Sequence, residues 1–579
     1  MEAGTDRNLA GSNDALGPQG QVGRDRPFAV AVLAVERLVA RFATAAAWQQ
    51  RLVLALLAAL FFLPGQASLP VTDRDEARFV QASRQMVQSG DPIDIRFQDQ
   101  PRYKKPVGIY WLQAAAMLAS GRGADAPLWV QRLPSLLGAV AAVVLVQVAG
   151  APLIGTAGAA LAALVFAASL VLAGEARIAK TDAVLLALTL GAMAVLARAW
   201  MGMALPRAQV FAFWLCLGAA ALVKGPIGPL IVGLAALAAS VAVRDRSWLR
   251  PLADLPAILL GLAVLLPWFV AITARSGAEF WAASVGGDLL AKVGEGQEGK
   301  SAPPGTYLLL VWITFWPGAL LLALGLPAIW AARKSRATVF LLAWVVPAWA
   351  LFELVPTKLI HYPLPLYPAL ALLAVAAWQG RSVLGLGGRL LALAFLAVGP
   401  LLLVAVMAAA GASGAAGAAW PAALALPGAV LLALLAFAAL ARAQPHAPAA
   451  GIALLGAVTA AGAIGTLARM PVLWPSQALA PMMLAARPAD CPAAALIAVG
   501  YSEPSLIRLT TRDTAFLPPA DAAQRLGQGC AVVAVEDRAA AEFARLAGIL
   551  PAPVGRVDGF AIGAGRAVGL SVHAVGPAP

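Results

Sequence analysis

Charge is scarce in this chain. Only 12% of its 579 residues are Asp, Glu, Lys or Arg and 61% are hydrophobic, whereas water-soluble globular chains carry about 25% charged residues. Histidine and cysteine number three each, and Cys216, Cys491 and Cys530 show no metal-ligand spacing. No internal repeat is present, and the C-terminal region has no glycine-rich nucleotide fingerprint. A cleavable signal peptide is not expected, since the first residues lack a short basic segment followed by an apolar core. The formal charge of +13 does not imply a nucleic-acid partner. No basic stripe is interleaved with aromatics, and the basic residues gather in short loops between apolar runs.

What the chain has instead is a series of apolar runs, each near the ~20 residues that cross a bilayer. They fall near 48–66, 128–149, 153–173, 183–200, 209–223, 226–243, 255–273, 306–330, 338–354, 361–378, 388–410, 421–441 and 449–468. The expected fold is an α-helical polytopic membrane protein of about 13 transmembrane helices. Residues 1–46 read as a disordered or weakly helical cytoplasmic tail, 47–469 as the membrane domain with the first span an uncleaved anchor, and 470–579 as a small periplasmic α/β domain. In that last part, Ala495–Val499 and Ala531–Val535 look like buried strands and Asp537–Leu546 like a helix. Cys491 and Cys530 both lie there, and the sequence leaves open whether they pair.

Arg24, Arg26, Arg37, Arg41 and Arg51 precede the first span and place the N-terminus in the cytoplasm. Counting onward puts Arg244-Asp245-Arg246, Arg333-Lys334-Ser335-Arg336 and Arg442 on the same side. The loop 67–127, the turn 175–182, Lys224-Gly225-Pro226, the loop 274–305 and the segment 356–362 then face the periplasm. Within 67–127, Phe79, Val80, Met86 and Val87 recur at helical spacing, and a second apolar run follows Pro106. Both predict amphipathic helices lying on the membrane surface.

Charged groups at membrane depth tend to mark function, and here they collect on one side. Asp75 and Glu76 follow the first span. They suit either proton handling or helix capping with Thr72 and Asp73. Arg102, Tyr103, Lys104 and Lys105 close the same loop, as phosphate-binding cations or as side chains snorkelling to the interface. Glu175, Arg177, Lys180 and Asp182 share one turn, where they bind substrate or pair with one another. Lys224 precedes a Gly-Pro helix break, and Lys358, His361 and Tyr362 stand at the mouth of another span.

The ordered set Asp-Glu-Ala-Arg-Phe (75–79), Tyr-Lys-Lys-Pro (103–106), Arg-Ile-Ala-Lys-Thr-Asp (177–182), Val-Lys-Gly-Pro-Ile-Gly (223–228) and Thr-Lys-Leu-Ile-His-Tyr-Pro (357–363) resembles one family over roughly residues 50–380. It is the bacterial branch of the dolichyl-phosphate-mannose protein mannosyltransferases, close to lipid A 4-amino-4-deoxy-L-arabinose transferases. The resemblance implies a GT-C fold in the bacterial inner membrane. It also implies an undecaprenyl-phosphate-linked sugar as donor, lipid A or another envelope molecule as acceptor, and a periplasmic site. Asp75, Glu76 and Asp182 match the family's acidic positions, and Lys105 its lysine. Relatives commonly carry a glutamate before that lysine, where this chain has Lys104, and often a histidine-asparagine pair where it has Gly287-Asp288. In aminoarabinose transferases the glutamate and histidine positions resemble a divalent-metal site. That departure leaves no cofactor firmly implied. A lipid or glycan transporter, a flippase included, is the alternative, although it would be expected to show repeats and mid-membrane charges.

Overall fold

The computed structural model describes residues 26–290, 301–379, 383–548 and 550–577. Every apolar segment read from the sequence falls on helix. Among the described residues, eight helices are long and apolar enough to cross a membrane by length and composition, and five shorter apolar helices accompany them. Two segments are interrupted. The pair 128–149 and 153–173 falls on Leu128–Ala167, two helices joined across a kink at Gly155, whose φ of 78° and ψ of 160° are not helical, and on the short helix Leu170–Glu175 that follows. The segment 306–330 divides into Thr306–Thr314 and Ala319–Ala331.

Position in the bundle follows from burial. The helix Asp182–Trp200 is 78% buried and Leu255–Ser276 only 22%, so the first is central and the second faces outward. Small residues allow the close packing that helices in lipid require. A Cβ on Gly138 would lie 2.9 Å from the Ala183 backbone, so glycine there lets Leu128–Ala167 seat the N-terminus of Asp182–Trp200.

The first loop folds into the helices Asp75–Ser89 and Gly108–Ala119, joined by a two-residue antiparallel ribbon, Arg96–Phe97 with Gln100–Pro101. N-terminal to the first span, Arg26–Thr44 is a helix of 19 residues. It docks through Glu36, whose carboxylate lies 2.6 Å from His446 Nδ1 and accepts the Ala447 N–H at 2.7 Å.

The C-terminal part is a five-stranded sheet. Its spatial order is Ala515–Leu517, Ala495–Val499, Gly529–Glu536, Arg566–Pro577 and Gly555–Ala561. The first three strands are parallel and the last two pair antiparallel. Short helices cover the sheet, among them Asp537–Ala547, and Cys491 is disulfide-bonded to Cys530.

Candidate active site

The helix Asp75–Ser89 begins from a strained residue. Arg74 has φ 65°, a left-handed conformation that costs a non-glycine side chain about 1–3 kcal/mol. Directly after it, Asp75 is solvent-accessible although protein surrounds it closely, whereas Glu76 is fully buried.

Glu76 pairs with Arg132 through both oxygens, at 2.7 and 2.9 Å. It also accepts the backbone N–H groups of Thr72 and Ala179, each at 2.8 Å. Burial alone would raise its carboxyl, but Arg132 and these N–H groups hold it below the usual carboxylate range. With its acceptor positions filled, Glu76 ties the loop to Leu128–Ala167 and to the 175–182 turn. It is not placed as the second catalytic acid that the sequence suggested. The Thr72 contact is the capping alternative in modified form.

Asp75 meets a different set of groups. Burial again acts to raise its carboxyl, but Lys180, His361 and Arg102 more than offset this and hold it low, with Asp182 opposing them. Lys180 Nζ lies 2.8 Å from Glu175, 3.8 Å from Asp182 and 3.3 Å from His361 Nδ1. Lys224 Nζ reaches Asp182 at 2.6 Å, and His361 Nε2 is 3.7 Å from that carboxylate. Three helix ends bring these groups together. Asp182 starts the central helix, Lys224 ends Arg207–Lys224 where Gly225 breaks it, and His361 precedes Leu364–Trp378. Arg102 is buried at the side, its Nε donating to the Tyr110 hydroxyl at 3.2 Å and its guanidinium over the Phe79 ring.

Lys105, Asp182, Lys224, His361 and Tyr362 line a cavity of about 300 Å³. Beside it runs a larger groove of about 850 Å³, walled by Leu266, Phe269, Val270 and Trp281, with Lys104 and Lys105 among its lining residues. Lys105, Lys224 and Pro226 border both spaces. Leu266, Val270 and Trp281 are exposed apolar side chains, so the groove opens where lipid would lie. A small charged chamber thus adjoins a greasy channel through a doorway of two lysines.

Three further sequence candidates are turned elsewhere. Lys358 Nζ caps the C-terminus of Arg336–Leu354, donating to the carbonyls of Phe352 at 3.2 Å, Glu353 at 2.7 Å and Val355. Such unpaired helix-end carbonyls need a donor when buried, and that demand explains the lysine. Arg177 donates to the carbonyls of Pro64 at 2.6 Å, Ala173 at 2.5 Å and Phe61, stapling the end of the first span. Tyr103 donates to Asp94 at 2.9 Å, and burial together with that acceptor pushes its hydroxyl up to about 12. Arg132 went unnoticed in the sequence. Its signal was a lone arginine inside an apolar run, the situation in which a charge needs a partner.

Among the described residues, no group of three His, Cys, Asp or Glu side chains is arranged to hold a metal ion. Lys180 already bridges Glu175 and Asp182, and Lys224 also pairs with Asp182, so this donor set does not fit a divalent cation, which binds through several oxygen ligands. Lys104 is exposed at the groove. Gly287 lies on the helical segment Ala282–Leu290, and the side chain of Asp288 lies outside the described residues.

Residues 104–270 match the family model described as dolichyl-phosphate-mannose-protein mannosyltransferase. The chain is 29% identical over 357 residues to the undecaprenyl phosphate-alpha-4-amino-4-deoxy-L-arabinose arabinosyl transferase of Pseudomonas aeruginosa (strain UCBPP-PA14), covering 58% of this chain and 63% of the relative. It is 29% identical over 345 residues to the transferase of the same name from Edwardsiella ictaluri, covering 57% and 58%. The chain thus matches about three fifths of the length of these curated relatives. Among solved structures, ArnT from Cupriavidus metallidurans bound to undecaprenyl phosphate superposes with a TM-score of 0.74 at 20% identity, over 90% of this chain and 97% of that one. Its apo state gives 0.72. The chain is therefore a multi-pass membrane protein of the GT-C fold that resembles the dolichyl-phosphate-mannose-protein mannosyltransferase family in its bacterial branch.

Proposed function

We propose that the protein transfers a sugar from a polyprenyl phosphate, such as undecaprenyl phosphate, to an acceptor at the outer face of the bacterial inner membrane. One observation carries this reading above the others: an accessible carboxylate, Asp75, interacts electrostatically with Lys180, His361 and Asp182 beside a charged chamber whose lysines also border an apolar groove. The prenyl tail lies in the groove, the phosphate rests on Lys105 and Lys224, and the sugar projects toward Asp75. An acceptor oxygen attacks the anomeric carbon, the bond from that carbon to the phosphate oxygen breaks, and polyprenyl phosphate leaves. Lys105 and Lys224 stabilise the charge that develops on the departing phosphate. Asp75 is ionised, so it accepts the proton of a hydroxyl acceptor or orients an acceptor that is already anionic.

Lys180 acts at second hand. Held between Glu175 and Asp182, it keeps Asp75 ionised and the chamber close to electrical balance. The disulfide between Cys491 and Cys530 supports a periplasmic C-terminal domain, because such bonds persist in oxidising compartments. The similar transferases are named for undecaprenyl phosphate and an aminoarabinose, which supports a polyprenyl-phosphate-linked sugar as donor; the acceptor is lipid A, another envelope glycan or a protein. To test the reading, purified protein is supplied with labelled polyprenyl-phosphate-linked sugars and an envelope extract. Transfer of label with release of polyprenyl phosphate is expected; intact donor after incubation with every acceptor fraction would overturn it.

A further inference from the structure

The C-terminal domain touches the loop at the residues that aim Asp75. Asp73 accepts the backbone N–H of Ser505 at 3.2 Å. Behind that contact runs a buried chain of hydroxyls: Ser505 Oγ donates to Ser476 Oγ at 2.6 Å, and Ser476 lies 2.7 Å from the Tyr501 hydroxyl. One residue further along the loop, Arg74 lies against Glu503. A Cβ on Gly563 would meet the Glu503 carboxylate at 2.9 Å and Arg74 Nε at 3.1 Å, so both groups occupy one narrow gap beneath the turn at 561–566. Glu503 is 6% exposed. A second attachment lies further along the loop, where the Gln98 amide donates to the carbonyls of Arg512 at 2.7 Å and Thr514 at 2.8 Å.

These contacts bracket Arg74, the residue with φ 65° immediately before Asp75. A strained backbone persists only where its surroundings over-determine it, and here the surroundings come from a separate part of the chain. The grip also falls in the segment 500–505, which follows the C-terminal end of the strand Ala495–Val499, the end of parallel strands at which α/β sheets commonly place working loops.

We propose that the C-terminal domain is a positioning clamp for the active site: Glu503 on Arg74 and Ser505 on Asp73 hold the strained turn that directs Asp75 into the chamber. This rests on the transferase reading for its kinetic consequence, though not for the clamp itself. Neither Glu503 nor Ser505 lines the chamber or the groove, so releasing the clamp lowers kcat and leaves donor KM in place. Misplacement by about 1 Å costs roughly 10²-fold in rate.

The test uses full-length protein in detergent or nanodiscs with Glu503→Ala and, as a gentler variant, Gly563→Val, whose side chain wedges into the same gap. Glu503→Gln, which retains an acceptor for Arg74, serves as the conservative rescue, and Arg545→Gln on an exposed helix face serves as control. The expected result is a kcat lowered roughly 10- to 100-fold in Glu503→Ala and Gly563→Val with donor KM unchanged, substantial recovery in Glu503→Gln, and wild-type behaviour in the control. Hydrogen exchange at residues 72–79, where Ala77 N–H bonds Thr72 and Arg78 N–H bonds Arg74, should speed up about tenfold or more in the first two variants. Folded variants with wild-type exchange at 72–79 would overturn the clamp. A wild-type protein that transfers nothing would instead sink the transferase reading, and the exchange measurement would still decide the clamp.

Discussion

Asp75 and Glu76 are neighbours in sequence with opposite surroundings. Glu76 is saturated by Arg132 and two backbone N–H groups, so Glu76→Gln leaves a buried guanidinium uncompensated. It should destabilise the protein by about 3–5 kcal/mol, measured as lower thermal stability in detergent, with little protein left to assay. Asp75 has charged neighbours but remains accessible. Asp75→Asn should keep the fold and donor binding while lowering transfer by at least about 10²-fold. Because the Asp75 carboxyl is held below its usual range, it stays ionised as pH falls from neutral through mildly acidic values. A plot of kcat against pH should show no loss from this group until below the ordinary carboxylate pKa. A lysine at the mouth of a span reads the same in sequence whether it awaits a phosphate or caps a helix. Lys358 is occupied by three carbonyls, so Lys358→Met should reduce stability by about 1–3 kcal/mol and leave the donor KM unchanged. Lys105→Ala should raise donor KM and lower kcat, the latter by about 10²-fold.

The helices are where sequence reading succeeds. Hydropathy alone locates the apolar segments because lipid demands unbroken helical hydrogen bonding, and the amphipathic spacing of Phe79, Val80 and Met86 locates the loop helix that carries Asp75. Charged turns are less legible. Nothing in the sequence 175–182 shows that Arg177 turns back toward the first span while Lys180 turns toward His361, since that choice depends on which carbonyls and carboxylates lie opposite. The contact between the loop and the C-terminal domain is invisible for the same reason, being made by residues more than 400 positions apart. At that contact, burial raises the Glu503 carboxyl to about 7, as does Asp73, against Arg74, Arg78 and Arg566, which pull it down. Folded Glu503 therefore holds its proton more tightly than unfolded Glu503. Its contribution to stability is complete below about pH 4.5 and is lost as pH rises through about 7. Thermal stability should fall between pH 5 and 8, and Glu503→Gln should flatten that slope; an equal slope in both proteins would remove Glu503 as its source.

Over the whole molecule, charge sparseness and architecture have one cause. Nearly all of the surface between the helix ends faces lipid or other helices, so among the described residues the charges of the membrane domain lie at helix ends: the basic loops on one side, and the paired and clustered groups around Asp182 on the other. The small C-terminal domain packs against the loop that carries Asp75. The account's central claim is that Asp75, beside a chamber joined to a lipid groove, serves sugar transfer from a polyprenyl phosphate. Its most direct test follows labelled sugar from polyprenyl-phosphate donor to lipid A in nanodiscs, with wild type beside Asp75→Asn and bound polyprenyl phosphate counted by native mass spectrometry. The account predicts transfer by wild type alone, with equal lipid bound to both proteins; equal transfer by Asp75→Asn would contradict it.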